Sequence, residues 1–212
     1  MRLLDLFCGR WGWSRAFAAR GWECIGIDLE RPPENPENCA FIQWDILLLT
    51  TLRDYKADFI VASSPCEQFS VHGMKHFFPN PKYPELGIKL FNHTRELCEA
   101  SGVPYVMENV RAAQQFVGNA EHHCGPFYLW GNAVPPLLVQ GIKKLQRGSG
   151  SFLPKGFYDL PRSERNIVRR KVMAQFGGSK KADAARTATI PPELANCVAD
   201  YAERILEQRK SA

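Results

Sequence analysis

Two stretches carry side chains that could do chemistry together. "SSPCEQFS" (63–70) follows the apolar run Phe59-Ile60-Val61-Ala62. A buried strand there would deliver Cys66 to the loop beyond its carboxyl edge, where open α/β sheets bind ligands. "MENV" (107–110) closes another apolar run and delivers Glu108. A cysteine beside a carboxylic acid suits attack on an electron-poor ring: thiolate adds to one ring carbon while the acid hydrogen-bonds the ring nitrogen that gains electron density. Two other readings stand beside this one. A free cysteine is more often a small, half-buried packing residue. A cysteine hydrolase could pair Cys66 with His72, but His72 lacks an orienting partner and a hydrolase has no use for the acids described next.

The segment "DLFCGRWG" (5–12) holds only Gly9 and Gly12, so it matches neither the dinucleotide fingerprint nor a phosphate loop. Gly9 follows the first apolar run, Asp28 closes "ECIGID", and Asp45 closes "AFIQWD". Glycine permits close backbone approach, and an acid about 20 residues after a glycine turn grips ribose hydroxyls in dinucleotide folds. Gly and Asp are also ordinary turn residues. Taken in this order they suggest a nucleoside-containing cofactor without a required phosphate loop, and S-adenosylmethionine fits that description.

These groups need strands to position them. "RLLDLF", "ECIGID", "AFIQWD", "DFIVAS", "PYVMEN" and "FYLWG" read as six strands. A helix is expected over roughly 13–20, and another from Pro84 to about Ser101 with a stripe of Leu86, Leu90 and Leu97. The final segment "IPPELANCVADYAERILEQ" predicts a helix whose apolar face (Leu194, Val198, Tyr201, Ile205, Leu206) docks on the sheet. Strands alternating with helices imply an α/β fold with a mostly parallel sheet.

With both halves in view, the chain resembles the DNA cytosine-5 methyltransferases. "DLFCGRWG" is similar to that family's first motif, "SPCEQFS" to its Pro-Cys nucleophile motif and "ENV" to its Glu motif. The resemblance covers residues 3 to 132 plus the final helix. It implies a Rossmann-like S-adenosylmethionine-dependent methyltransferase fold with a small basic appendage. It further implies methyl transfer to C5 of cytosine in DNA through a covalent Cys66 adduct, with the base flipped out of the duplex. Cys66 and Glu108 would be catalytic. Phe7, Gly9, Gly12, Asp28, Asp45, Ile46 and Pro65 would line the cofactor, and Ser64, Ser70 and Asn109 would meet the substrate.

Three departures stand out. Ser64 replaces the proline that usually precedes the Pro-Cys pair, which loosens the loop. No Gln-x-Arg-x-Arg motif precedes "FYLWGN", leaving His122 or His123 as substitutes for the arginine that supports the pyrimidine carbonyl. "GNAVPP" (131–136) mimics the family's final motif but lies too early, so "TATIPPELANCVADYA" is the preferred counterpart. An inactive nucleic-acid binder of the same fold, and an RNA cytosine-C5 methyltransferase, remain as alternatives.

The chain has 212 residues and a formal net charge of +5, enough for one domain with an appendage. Residues 137–186 contain twelve Lys or Arg against three acids, a local +9 on a body of −4 (5 − 9). That segment suggests a polyanionic partner. A basic helix over about 162–175 would present Arg165, Arg169 and Arg170 to phosphates. The expected division is therefore a catalytic domain of 1–132 plus 189–212 and a basic segment of 133–188. Seven widely spaced cysteines without a CxxC argue against a disulfide framework or a zinc knuckle. His122-His123-Cys124 is a poor metal site, since adjacent residues rarely face one ion. The acid at Asp5 argues against a signal peptide, and no run approaches the roughly 18 apolar residues of a membrane span. A soluble, cytoplasmic protein without metal is the expectation.

Overall fold

The structure, a computed structural model, describes residues 1–73, 84–136, 161, 164 and 190–211. By contact the chain divides into one unit of Met1–Ile142 with Ile190–Ala212 and a second of Lys143–Thr189. Apart from residues 161 and 164 the second unit lies outside the described residues, and so do the expected basic helix and Arg165, Arg169 and Arg170.

The first unit is built on one seven-stranded sheet. Its strands are β1 (Arg2–Leu6), β2 (Glu23–Asp28), β3 (Cys39–Gln43), β4 (Phe59–Ser63), β5 (Tyr105–Val110), β6 (His122–Cys124) and β7 (Phe127–Trp130). They lie in the order β3-β2-β1-β4-β5-β7-β6. The first five pair in parallel, and β7 enters antiparallel to β5 with β6 antiparallel to it. The expected α/β sheet is thus present. Chain order reverses outward from β1 toward β3 on one side and toward β5 on the other. The crevice of such a sheet opens at the carboxyl ends beside β1 and β4.

The strands read as apolar runs because helices cover both faces: Leu3, Leu4 and Leu6 of β1 and Phe59 to Ala62 of β4 are fully buried. The helices are α1 (Ser14–Ala18), α2 (Glu67–Gly73), α3 (Glu85–Ser101), α4 (Gln114–Val117) and α5 (Pro192–Ser211). In α3 the buried face is Gly87, Phe91, Thr94, Leu97 and Cys98, whereas Leu86 is exposed. The expected leucine stripe is therefore rotated by about one residue. Phe91, the bulkiest apolar side chain of α3, sets the face by packing edge-on against Trp130.

α5 docks on α1, and its tightest packing comes from Leu194, Ala195, Val198, Ala199 and Ala202. Tyr201, Ile205 and Leu206 are only half-buried. The small alanines bring the helices close, and Arg20 clamps the pair by bonding Asn196 (2.6 Å) and Asp200 (2.6 Å). Two expectations fell short. The helix after Gly12 spans five residues rather than eight, and β6 was not anticipated.

Candidate active site

The glycine turn after β1 is held by unusual backbone geometry. Phe7, Gly9 and Trp11 all take positive φ, at 61°, 50° and 64°. The chain curls because the N–H groups of Phe7 and Cys8 both donate to the carbonyl of Ile27 on β2 (2.8 and 3.3 Å). Trp11 folds its indole onto the sheet and is fully buried, donating from Nε1 to the carbonyl of Glu34 (3.0 Å). It can lie there because position 26 is glycine: a Cβ at Gly26 would stand 2.3 Å from the indole and 2.8 Å from Cys8 Sγ. Gly12 serves packing, since a Cβ there would come within 3.0 Å of the Ile190 backbone.

Asp28 closes this turn. Its carboxylate accepts from the N–H of Gly9 (2.9 Å) on one oxygen and from the N–H of Glu30 (3.2 Å) on the other. Each oxygen keeps a second lone pair that a hydroxyl can meet. Four large apolar side chains stand exposed around this end of the sheet: Leu29, Ile42, Trp44 and Leu48. Trp44 is tied to the acid by its N–H, which donates to the Asp28 carbonyl (3.0 Å). Asp45 lies two residues past β3, half-buried, and caps a short 3₁₀ turn by accepting from the N–H of Leu47 (2.9 Å). Ile46 beneath it is buried. An acid with open lone pairs beside an apolar shelf can hold a sugar and a flat base.

Across the crevice, Cys66 follows β4 and precedes α2, with Pro65 exposed beside it. The parallel register sets Ser63 of β4 beside Glu108 of β5, bringing the Pro-Cys loop alongside the acid. Asn109 straps this junction: its Nδ2 donates to both the carbonyl and Oγ of Ser64 (3.0 Å each). Ser64 and Asn109, expected to meet substrate, are buried and bonded to one another. Ser70 sits one helical turn beyond Cys66, its N–H donating to the Cys66 carbonyl (2.8 Å).

Burial drives the electrostatics. It pushes the Glu108 carboxyl up to about 8 against the opposing hydrogen bond from Ser63, so the group is largely neutral at pH 7. Burial also pushes the Cys66 thiol up, with Glu108 adding to the rise and a hydrogen bond from Ser70 opposing it. Such a pair can supply a proton from carbon-bound oxygen and, once deprotonated, a soft nucleophile.

His122 and His123 lie on β6 at the sheet edge, where His123 stacks on Tyr128 (4.9 Å between centroids). "GNA" at 131–133 is tied to the start of β5: Asn132 Oδ1 accepts from the N–H of Tyr105 (2.9 Å) and Ala133 donates to its carbonyl (3.2 Å). Among the described residues no group of three His, Cys, Asp or Glu could hold a metal ion. No described helix is long and apolar enough to cross a membrane. Residues that sequence reasoning passed over are Asp5, Trp11, Trp13, Gly26 and Ser63. Their roles arise from contacts between distant segments, such as Trp13 Nε1 to Ser63 Oγ (2.9 Å).

A parallel sheet ending in a reversed β7, with a glycine turn after β1 and an acid closing β2, defines the Rossmann-like fold of S-adenosylmethionine-dependent methyltransferases. The family model described as C-5 cytosine-specific DNA methylase matches residues 1–124. The chain belongs to that family, whose methyl donor is S-adenosylmethionine. No curated protein matches the sequence. Among solved structures, a protein of Pyrococcus horikoshii OT3 is 18% identical, with 57% of this chain and 55% of that one covered and a TM-score of 0.33. The 1,6-didemethyltoxoflavin-N1-methyltransferase of Burkholderia thailandensis, solved with S-adenosylhomocysteine, is 13% identical over 61% and 53% of the two chains, with a TM-score of 0.33. The chain spans about half the length of these structures.

Proposed function

We propose that the protein transfers a methyl group to C5 of cytosine in DNA, with Cys66 as nucleophile and Glu108 as acid. The observation that carries this reading is the β4–β5 register. It puts a Pro-Cys loop beside a buried carboxyl that stays protonated near neutral pH. Cys66, once its thiol has lost its proton to solvent, forms a bond from Sγ to C6 of the flipped cytosine as the C5–C6 double bond opens, and Glu108 donates its hydrogen to N3, so electron density gathers at C5. S-adenosylmethionine supplies an electrophilic methyl group on a sulfonium. Once C5 is methylated, a base takes the C5 proton, the C6–S bond breaks, and Glu108 recovers its proton from N3.

Asp28 would accept hydrogen bonds from the ribose hydroxyls, and the shelf of Leu29 and Trp44 suits the adenine. Phe7 and Gly9 shape the turn against the cofactor, with Asp45, Ile46 and Pro65 at its edges. Gly12, Ser64 and Asn109 act by holding these loops, and Ser70 lies beside the thiol. The basic run of 137–186, with Arg165, Arg169 and Arg170, supplies cations for phosphates, contacts that position a duplex without reading it.

DNA carrying 5-fluorocytosine tests the nucleophile, because fluorine at C5 cannot leave as a proton. Wild type should form a covalent complex in the presence of S-adenosylmethionine, and Cys66→Ala none. An undiminished adduct in Cys66→Ala would remove Cys66 from the mechanism. A noncovalent, salt-sensitive complex with no adduct in the wild type would favour the inactive binder.

A further inference from the structure

Trp13 and Ser63 are joined by a hydrogen bond across 50 positions of sequence, Nε1 to Oγ at 2.9 Å. An indole N–H can only donate, so Ser63 Oγ is the acceptor in this bond. Its own hydroxyl hydrogen must then point elsewhere. Ser63 is the register partner of Glu108 on the adjacent parallel strand, so the two side chains leave the sheet on the same face, and Ser63 opposes the rise that burial imposes on the Glu108 carboxyl. With its oxygen accepting from Trp13, Ser63 has its hydroxyl hydrogen free to donate toward that neighbouring carboxyl.

We infer that Trp13 and Ser63 are positioning residues, a one-way relay that holds one oxygen of the Glu108 carboxyl as an acceptor. The acid's own hydrogen is thereby left on the other oxygen, the one available to the substrate. The inference rests on the reading of Glu108 as the acid in the proposed reaction. The relay gives the buried indole N–H of Trp13, at the start of α1 and 2% exposed, its acceptor. The Trp13 ring reaches across the crevice edge to the end of β4. A carboxylic acid with one fixed acceptor oxygen offers its hydrogen in one direction, which is the preorganisation that a hydrogen-bonding general acid needs. The relay also moderates the acid. A hydrogen bond donated to the carboxylate stabilises the charged form, so Ser63 restrains the rise that burial imposes. The ionisable neighbour of Glu108 is Cys66 on the loop after β4, and the partner facing it from β7 is the apolar Leu129.

The test is the titration of Glu108 in the free protein, followed by NMR of glutamate labelled with carbon-13 at the side-chain carboxyl. Glu108→Gln assigns the resonance. The wild-type midpoint should lie near pH 8. Ser63→Ala should raise it by roughly half to one pH unit, the size of one lost hydrogen bond. Ser63→Thr, which keeps the hydroxyl, should restore it. Trp13→Phe frees the Ser63 hydroxyl to turn, so a smaller rise is expected. A Ser63→Ala midpoint equal to wild type would overturn the relay, and an unmoved Trp13→Phe would remove Trp13 from it. A merely structural role would not give this ordered series with rescue by threonine. The titration needs neither DNA nor methyl donor, so it stands or falls separately from the covalent-adduct test of Cys66.

Discussion

At Cys66 and Glu108 one environment makes two opposite demands. In the proposed reaction Glu108 must hold a proton, and burial lets it do so up to about pH 8. Cys66 must lose one, and burial together with the Glu108 carboxyl pushes its thiol up. Turnover should therefore rise with pH as thiolate forms, level off above about pH 8 as Glu108 ionises, and fall once the thiol itself has titrated. A steady-state pH profile checks this. Glu108→Gln should slow turnover by roughly 10²–10⁴ and abolish the alkaline fall, because the amide cannot ionise. A variant that kept the alkaline fall would show that some other group titrates there. Cys66 and Glu108 were legible because their motifs are local. Ser63 was read only as the end of a strand, since no local pattern reports a bond to Trp13 or a register with β5.

Strand β2 does more than end in an acid. Gly26 gives the Trp11 indole a flat seat, and the seated ring stabilises the turn that carries Gly9 to Asp28. Gly26→Ala places a methyl 2.3 Å from that ring, so either the indole or the strand must shift. Overpacking of this kind costs about 1–3 kcal/mol. We expect a lower urea midpoint together with weaker S-adenosylmethionine binding by calorimetry, since the displaced turn also carries the Asp28 contact. Unchanged stability and affinity would mean that Trp11 does not support the turn. The central strands β1, β4 and β5 were readable as apolar runs because they are buried on both faces. β6 was not, because the three residues His122–Cys124 contain neither an apolar run nor an alternation. The α3 stripe was misplaced because leucines were counted and Phe91 was not. The packing of α5 rests largely on alanines, whose contribution is closeness of approach and leaves little trace in a hydrophobic pattern.

At the scale of the whole molecule, two carboxyls among the described residues are buried in the sheet, and burial favours the neutral form of each. Asp5 of β1 is fully enclosed, with Oδ2 accepting from Ser14 Oγ (2.5 Å) and Oδ1 without a hydrogen-bond partner among the described residues. Burial raises it to about 7, with Asp28 adding to the rise and Ser14 opposing it. A carboxyl whose folded pKa lies above its unfolded one contributes most below the unfolded value, and that contribution is lost as pH climbs to the folded one. For Asp5 the window runs from 3.8 to about 7, and for Glu108 from 4.5 to about 8. The loss can reach about 1.4 kcal/mol per pH unit for each group inside its window. Asp5→Asn should therefore lose less stability than wild type between pH 5 and 7, measured as the shift in urea midpoint. Parallel losses in the two proteins would mean that Asp5 is already ionised in the fold. Composition could not reveal this, since nothing in "RLLDL" distinguishes a buried acid from one at a strand end.

The central claim is that this fold, with its paired thiol and acid, methylates cytosine at C5. Mass analysis of nucleosides from DNA incubated with the protein and isotopically labelled S-adenosylmethionine tests it most directly. The account predicts labelled 5-methylcytosine from the wild type and none from Cys66→Ala. Label on any other nucleoside, no label with the wild type, or equal 5-methylcytosine from Cys66→Ala would contradict it.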